Sequence, residues 1–206
     1  MIADPQAGSE RLWRTVLHDV NNLLAGFQGV LDLSDPALPL STRNRLRLEA
    51  TLAEGRNVVA MSRALALDRL PDPGVLAWPE WQQGLMRRLE PLSVLFSCPV
   101  EVACPEEGAS VPWPAPLFQD WAAAFSRQLL PWIAPGTLRI QAAVEDGGRL
   151  LRWVGAPPLP PALRPEPPED APATLASLWL RAMSGRLGMD LREEQDALVA
   201  RIPCAS

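Results

Sequence analysis

The sequence predicts an α+β protein in two parts: a long helical hairpin forming a dimeric four-helix bundle, then a small α/β sandwich. Three observations predict it. Proline, costly inside a helix, is absent between Pro5 and Pro36 and again between Pro39 and Pro71, although the chain carries 23 prolines in 206 residues. Both windows repeat apolar residues at the 3-4 spacing of an amphipathic helix. Beyond about residue 73 the rhythm changes to shorter helices and strand-like runs, two of them joined by a glycine-bearing turn.

In the first window the apolar positions are Trp13, Val16, Leu17, Val20, Leu23, Leu24, Phe27, Val30 and Leu31. That is a seam held over about three heptads. Ser34-Asp35-Pro36 stops the helix, because aspartate and proline favour a turn. Ser41 is positioned as the N-cap of the second helix. Leu48, Leu52, Val59 and Ala66 continue the heptad spacing there. One hairpin leaves its seam in water, and pairing two hairpins into a four-helix bundle covers it, so a homodimer is expected.

The hairpin is assigned to 1–72 and the second domain to 73–206, with Leu70 to Gly74 as linker. Trp78 to Leu95 reads as a helix with Pro79 in its first turn. Cys98 to Val102 reads as a short strand, and Leu117 to Trp132 as a helix. Thr137 to Val144 and Arg149 to Val154 read as strands joined by the turn Glu145-Asp146-Gly147-Gly148. Ala156 to Pro172 is proline-dense and reads as an irregular loop. Thr174 to Ser184 reads as a helix stopped by Gly185. Met189 to Leu191 and Leu198 to Ile202 read as a closing hairpin.

Composition excludes several classes of function. Hydrophobic residues make up 48% and charged residues 21%, so wholesale disorder is excluded. A net charge of −5 argues against nucleic-acid binding, which needs a basic face. No apolar run approaches the roughly 18 residues of a membrane span, so no membrane insertion is expected. MIADPQAGSE carries no signal-peptide pattern, so a cytoplasmic location is expected. Three cysteines without a CxxC indicate neither a disulfide framework nor a zinc site. All 19 basic residues are arginine, which excludes P-loop and Schiff-base lysine chemistry. His18 is the one histidine, which excludes a His-rich metal site.

The residues that carry chemistry lie in the first helix, at His18-Asp19-Val20-Asn21-Asn22. With Trp13, Val20 and Phe27 on one heptad position, His18 falls opposite the seam, toward solvent. Arg14 and Asn22, one turn before and after, share its face. An exposed imidazole flanked by a carboxylate and amides suits a reversible phosphoryl acceptor. One ring nitrogen attacks while the other is held by a hydrogen bond.

The stretch Leu17 to Gly26 resembles the H-box of sensor histidine kinases, of the HDxNN type. In that family the box lies on the first helix of a dimerisation and phosphotransfer hairpin, followed by an α/β ATP-binding domain. The region Ala173 to Pro203 resembles the end of that domain. The resemblance implies His18 as phosphoacceptor and Asp19 as the group that orients or deprotonates it. Asp19-x-x-Asn22 is similar to the acid-x-x-amide motif that positions a water for dephosphorylating response regulators. Arg14 and Asn21 are the expected partner contacts.

The departures from that family matter equally. Its ATP site needs an asparagine-bearing helix to hold magnesium, and Leu117 to Gln128 contains no asparagine. Its adenine box needs an aspartate, and Arg152 to Pro158 contains none. The proline-rich segment stands where the glycine-rich lid would be. The resemblance therefore implies a degenerate ATPase-like domain with no cofactor of its own. The activity it implies is a histidine phosphotransferase that exchanges phosphate with response-regulator receivers, which supply the metal, and that also meets a histidine kinase. A second reading is a pseudokinase interaction module that sequesters a kinase or regulator without transfer. A third is an active kinase with divergent boxes. Arg43, Arg45 and Arg47 read as a solvated face, the tryptophans as mostly core, and Cys98 and Cys104 as buried inert thiols.

Overall fold

The computed structural model describes residues 5–35, 38–67, 76–105, 115–145, 148–164, 168 and 174–203, with 5–12, 66, 67, 115 and 116 described by backbone only. The expected linker at 70–74, the tip of the 145–148 turn and Cys204 lie outside the described residues. So do 165–167 and 169–173 of the proline-rich segment. The chain divides into two compact units, one of Met1–Arg69 with Glu169–Trp179, the other of Leu70–Pro168 with Leu180–Ser206.

The first unit contains the helical hairpin. Helix α1 spans Pro5–Asp32 and α2 spans Thr42–Leu67. At the turn, Ser34 Oγ donates to the Val30 carbonyl at 2.7 Å and accepts from Asn44 Nδ2 at 3.2 Å. Ser41 Oγ accepts the Asn44 N–H at 3.2 Å, the expected cap. The helices run antiparallel, and at Gly26 and Gly55 they leave just the room of an ordinary van der Waals contact for a Cβ. A Cβ on Gly26 would lie 3.5 Å from Thr51, and one on Gly55 would lie 3.8 Å from Leu23.

The apolar seam divides in two. Val30 is buried and Val16, Val20, Leu23 and Phe27 are half-buried, with Val58 and Met61 buried on α2. Trp13, Leu17, Leu24 and Leu31 remain about 60% exposed, as do Leu52 and Val59 at 50% and 60%. Trp13 thus departs from the expected seam position. A single partner helix covers only one flank of so wide a stripe.

The second unit is a five-stranded sheet with helices against one face. Helix α3 is Trp78–Phe96, β1 Val100–Ala103, α4 Ala115–Ile133, β2 Leu138–Glu145 and β3 Gly148–Val154. Helix α5, Leu175–Arg186, belongs to the first unit as far as Trp179 and to the second from Leu180, and is followed by β4, Asp190–Glu194, and β5, Ala197–Pro203. The spatial order is β1-β2-β3-β5-β4, with β1 and β2 parallel and the other pairs antiparallel. Helix α4 makes the crossover that parallel neighbours need. Leu138, Ile140, Leu151, Trp153, Leu198 and Ala200 face the helices and are fully buried. Trp121 and Phe125 of α4 stack at 5.1 Å and meet Trp153 at 6.0 and 4.6 Å. The Trp153 indole donates to Ser126 Oγ at 2.9 Å, so this aromatic core leaves that donor satisfied. The opposite face holds a small cluster, Leu150, Ala197 and Val199, beside the ion pairs Arg152–Glu194 and Arg201–Glu145.

Two expectations shift. The strand expected at Cys98 begins at Val100, and Cys98 is instead a fully buried residue that caps α3 by donating its N–H to Ser93. Helix α5 passes through Gly185. It ends at Arg186, and Gly188 beyond it, at φ +59°, lets Gly188 and Met189 donate to the Gly185 and Ser184 carbonyls in a Schellman closure. The described part of the proline-rich segment is irregular apart from a 3-10 turn at Pro161–Leu163, and it buries Leu159 and Leu163. Of the described tryptophans, Trp132 joins Trp13 at the surface, 71% exposed.

Candidate functional site

Helix α1 holds His18 rigidly, and its side chain is 69% exposed. Its Nδ1 lies 3.1 Å from Asp19 Oδ1 and 3.3 Å from Asn22 Nδ2. Asp19 and Asn22 thus converge on His18 as the spacing predicts, while Arg14 and Asn21 are exposed on α1 beside them.

Both contacts meet the same nitrogen, and they demand opposite things of it. Asp19 can only accept, so that bond requires a proton on Nδ1. The Asn22 amide donates, so that bond requires the Nδ1 lone pair. The first state places the proton on Nδ1 and leaves the Nε2 lone pair facing solvent. The second places the proton on Nε2 and blocks it as a nucleophile. The tautomer therefore decides whether the imidazole can attack an incoming electrophile.

Asp19 is less open than its neighbour, with a side chain 19% exposed. Its second oxygen, Oδ2, accepts the backbone N–H of Leu175 at 3.2 Å, within the first unit. Leu175 opens α5. This partner is invisible to sequence reasoning, because a backbone donor 156 positions away carries no side-chain signature.

In the second unit a largely apolar cavity of about 360 Å³ is lined by Trp121, Phe125, Leu163 and Met189, with Arg181 and Asp190 among its polar groups. The polar residues of α4 point elsewhere. Gln119, buried, donates to the Trp81 carbonyl at 2.7 Å and accepts from Arg88 at 2.6 Å. Arg88 also pairs with Asp120 at 2.8 Å. After β3, Gly155 takes φ +68° and donates to the Asp196 carbonyl at 2.8 Å. Among the described residues no group of three or more His, Cys, Asp or Glu could hold a metal. No helix among them is long and apolar enough to cross a membrane.

No protein-family model matches the chain, and no curated protein sequence matches it. Solved structures do. The histidine kinase AdeS of Acinetobacter baumannii superposes with a TM-score of 0.60 at 13% identity, over 91% of this chain and 96% of that one. A bacterial phosphotransferase gives 0.55 at 11% identity over 98% of each chain. The histidine kinase ThkA, in its complex with the response regulator TrrA, gives 0.54 at 10% identity over 95% of this chain and 61% of ThkA's. At such identities the likeness is one of architecture, and the chain has a histidine-kinase-like fold.

Proposed function

We propose that this protein is a histidine phosphotransferase of a two-component phosphorelay. It passes phosphoryl groups between His18 and the aspartate of response-regulator receivers. The observation that carries the reading is the exposed imidazole whose Nδ1 is held by the adjoining Asp19, leaving Nε2 accessible. Attack of the Nε2 lone pair on an aspartyl phosphate forms the N–P bond. The broken P–O bond leaves its electron pair on the receiver's carboxylate, and the Nδ1 proton stays facing Asp19. Asn22, one helical turn on, is placed to orient a water or the imidazole itself. Arg14 and Asn21, exposed beside the site, are offered as receiver contacts, and a histidine kinase is a further partner.

The protein works as a homodimer. The exposed stripe of Trp13, Leu17, Leu24 and Leu31, with Leu52 and Val59, supports that reading, since its heptad spacing matches a second hairpin. The second unit does not suit a magnesium nucleotide. Trp121 and Phe125 present rings to its cavity, and Gln119 and Asp120 are engaged by α3. Of the residues lining it Arg181 is the one cation and Asp190 opposes it, so most of a triphosphate's charge would be uncompensated there.

The test is incubation with phosphorylated receivers from the same cell. A base-stable, acid-labile label should appear on the wild-type protein and vanish in His18→Ala. Receivers that bind both proteins equally and label neither would leave only an interaction module.

A further inference from the structure

We infer that the amino end of α5 is a positioning element for His18, acting through Asp19. The inference rests on the phosphotransfer reading for its purpose but not for its geometry. Asp19 bridges two donors: Oδ1 faces His18 Nδ1 at 3.1 Å and Oδ2 accepts Leu175 N–H at 3.2 Å. A free aspartate rotates about its side-chain bonds. One whose second oxygen is fixed presents its first oxygen in one direction.

The donor is itself held firmly. Thr174 is the N-cap of α5: its Oγ1 accepts the Ser177 N–H at 3.1 Å, and Ser177 Oγ accepts the Thr174 N–H at 3.0 Å. This reciprocal pairing satisfies two of the groups a helix start leaves open. Leu175 is fully buried and Ser177 is 2% exposed. The Leu175 N–H is another such open group, and Asp19 is its partner. The carboxylate also sits at the positive end of the helix dipole.

The consequence concerns the tautomer. His18 chooses between donating an Nδ1–H hydrogen bond to Asp19 and accepting one at Nδ1 from Asn22. A carboxylate pinned in place by α5 favours the first choice, the one with a nucleophilic Nε2. Released from Leu175, Asp19 turns away more often and Asn22 competes better. Leu175, Thr174 and Ser177 are therefore positioning residues. They touch neither the imidazole nor the phosphoryl group.

His18 is the one histidine, so a long-range proton–nitrogen NMR spectrum reads its tautomer directly. Leu175→Pro and Leu175→Ala both remove the leucine side chain, but only proline removes the N–H, at a helix position that tolerates it. At mildly alkaline pH the wild type and Leu175→Ala should show mainly the Nδ1–H form. Leu175→Pro should shift toward Nε2–H, with phosphoryl transfer about five-fold slower than Leu175→Ala, the equivalent of one modest hydrogen bond. If Leu175→Pro does not fold, Ser177→Ala, which loosens the cap, should shift the tautomer the same way by less. Identical spectra for the proline and alanine variants, no shift in Ser177→Ala, or a wild type already in the Nε2–H form would each overturn the inference. The expected spectra without any phosphoryl transfer would uphold the positioning and sink the phosphotransfer reading alone.

Discussion

Leu24→Asp should convert the protein from dimer to monomer while leaving the hairpin folded. Leu24 is 60% exposed in the single chain, at heptad distance from the equally exposed Leu17 and Leu31. Full burial of a leucine is worth about 1.5–3 kcal/mol, so covering the exposed three fifths contributes about 1–2 kcal/mol per copy. Two-fold symmetry counts the residue twice, giving about 2–4 kcal/mol. At about 1.4 kcal/mol per decade, the dissociation constant weakens at least thirty-fold and up to several hundred-fold. Burying aspartate at the same place adds a desolvation cost. Within one chain the change costs up to about 0.7 kcal/mol of helix propensity and about 1 kcal/mol for the two fifths of Leu24 already covered. Sedimentation equilibrium at micromolar concentration should give twice the chain mass for wild type and the single mass for the variant, with similar helical circular dichroism. A monomeric wild type, or a variant that dimerises equally well, would refute the assignment of this stripe to a second copy.

Gly84→Ala should destabilise the second unit by about 1–3 kcal/mol, as overpacked sites do, because its Cβ would fall 2.7 Å from Gln119 Cδ, whose amide is tied to Trp81 and Arg88. A lowered thermal midpoint checks it. The Cys104 thiol, pushed up by burial from 9.0 to about 12, should resist alkylation in the native protein at pH 8 and react once unfolded, as site-resolved mass spectrometry will read. The same shift makes stability fall as pH climbs from about 9 toward 12, since the unfolded thiol ionises first. Calorimetry with millimolar ATP and magnesium should show no saturable binding, and a clear isotherm would return the kinase reading.

The hairpin and its histidine were legible because the signals are local. Proline exclusion and a 3-4 apolar repeat act within one helix, and Arg14, His18 and Asn22 share a face by spacing alone. Which flank of the seam is covered was not legible. Val16, Val20, Leu23, Phe27 and Val30 are no more apolar than Trp13, Leu17, Leu24 and Leu31, and only the side on which α2 packs separates them. Proline density likewise hid Leu159 and Leu163, two leucines one turn apart that are buried around a 3-10 turn.

The second unit shows the difference between a missing residue and a replaced one. The sequence registers only that asparagine is absent from α4 and aspartate from the stretch after β3. In the fold those absences are filled. Gln119 and Asp120 bind across to α3 through Arg88, and the Trp121 indole donates to the Leu180 carbonyl and Ser184 Oγ at 3.2 and 3.1 Å. Trp121, Phe125 and Trp153 then form a continuous aromatic core reaching the cavity wall. On the phosphotransfer reading proposed above, these contacts tie up the polar and aromatic side chains of α4, and His18 would take its phosphoryl group from another protein.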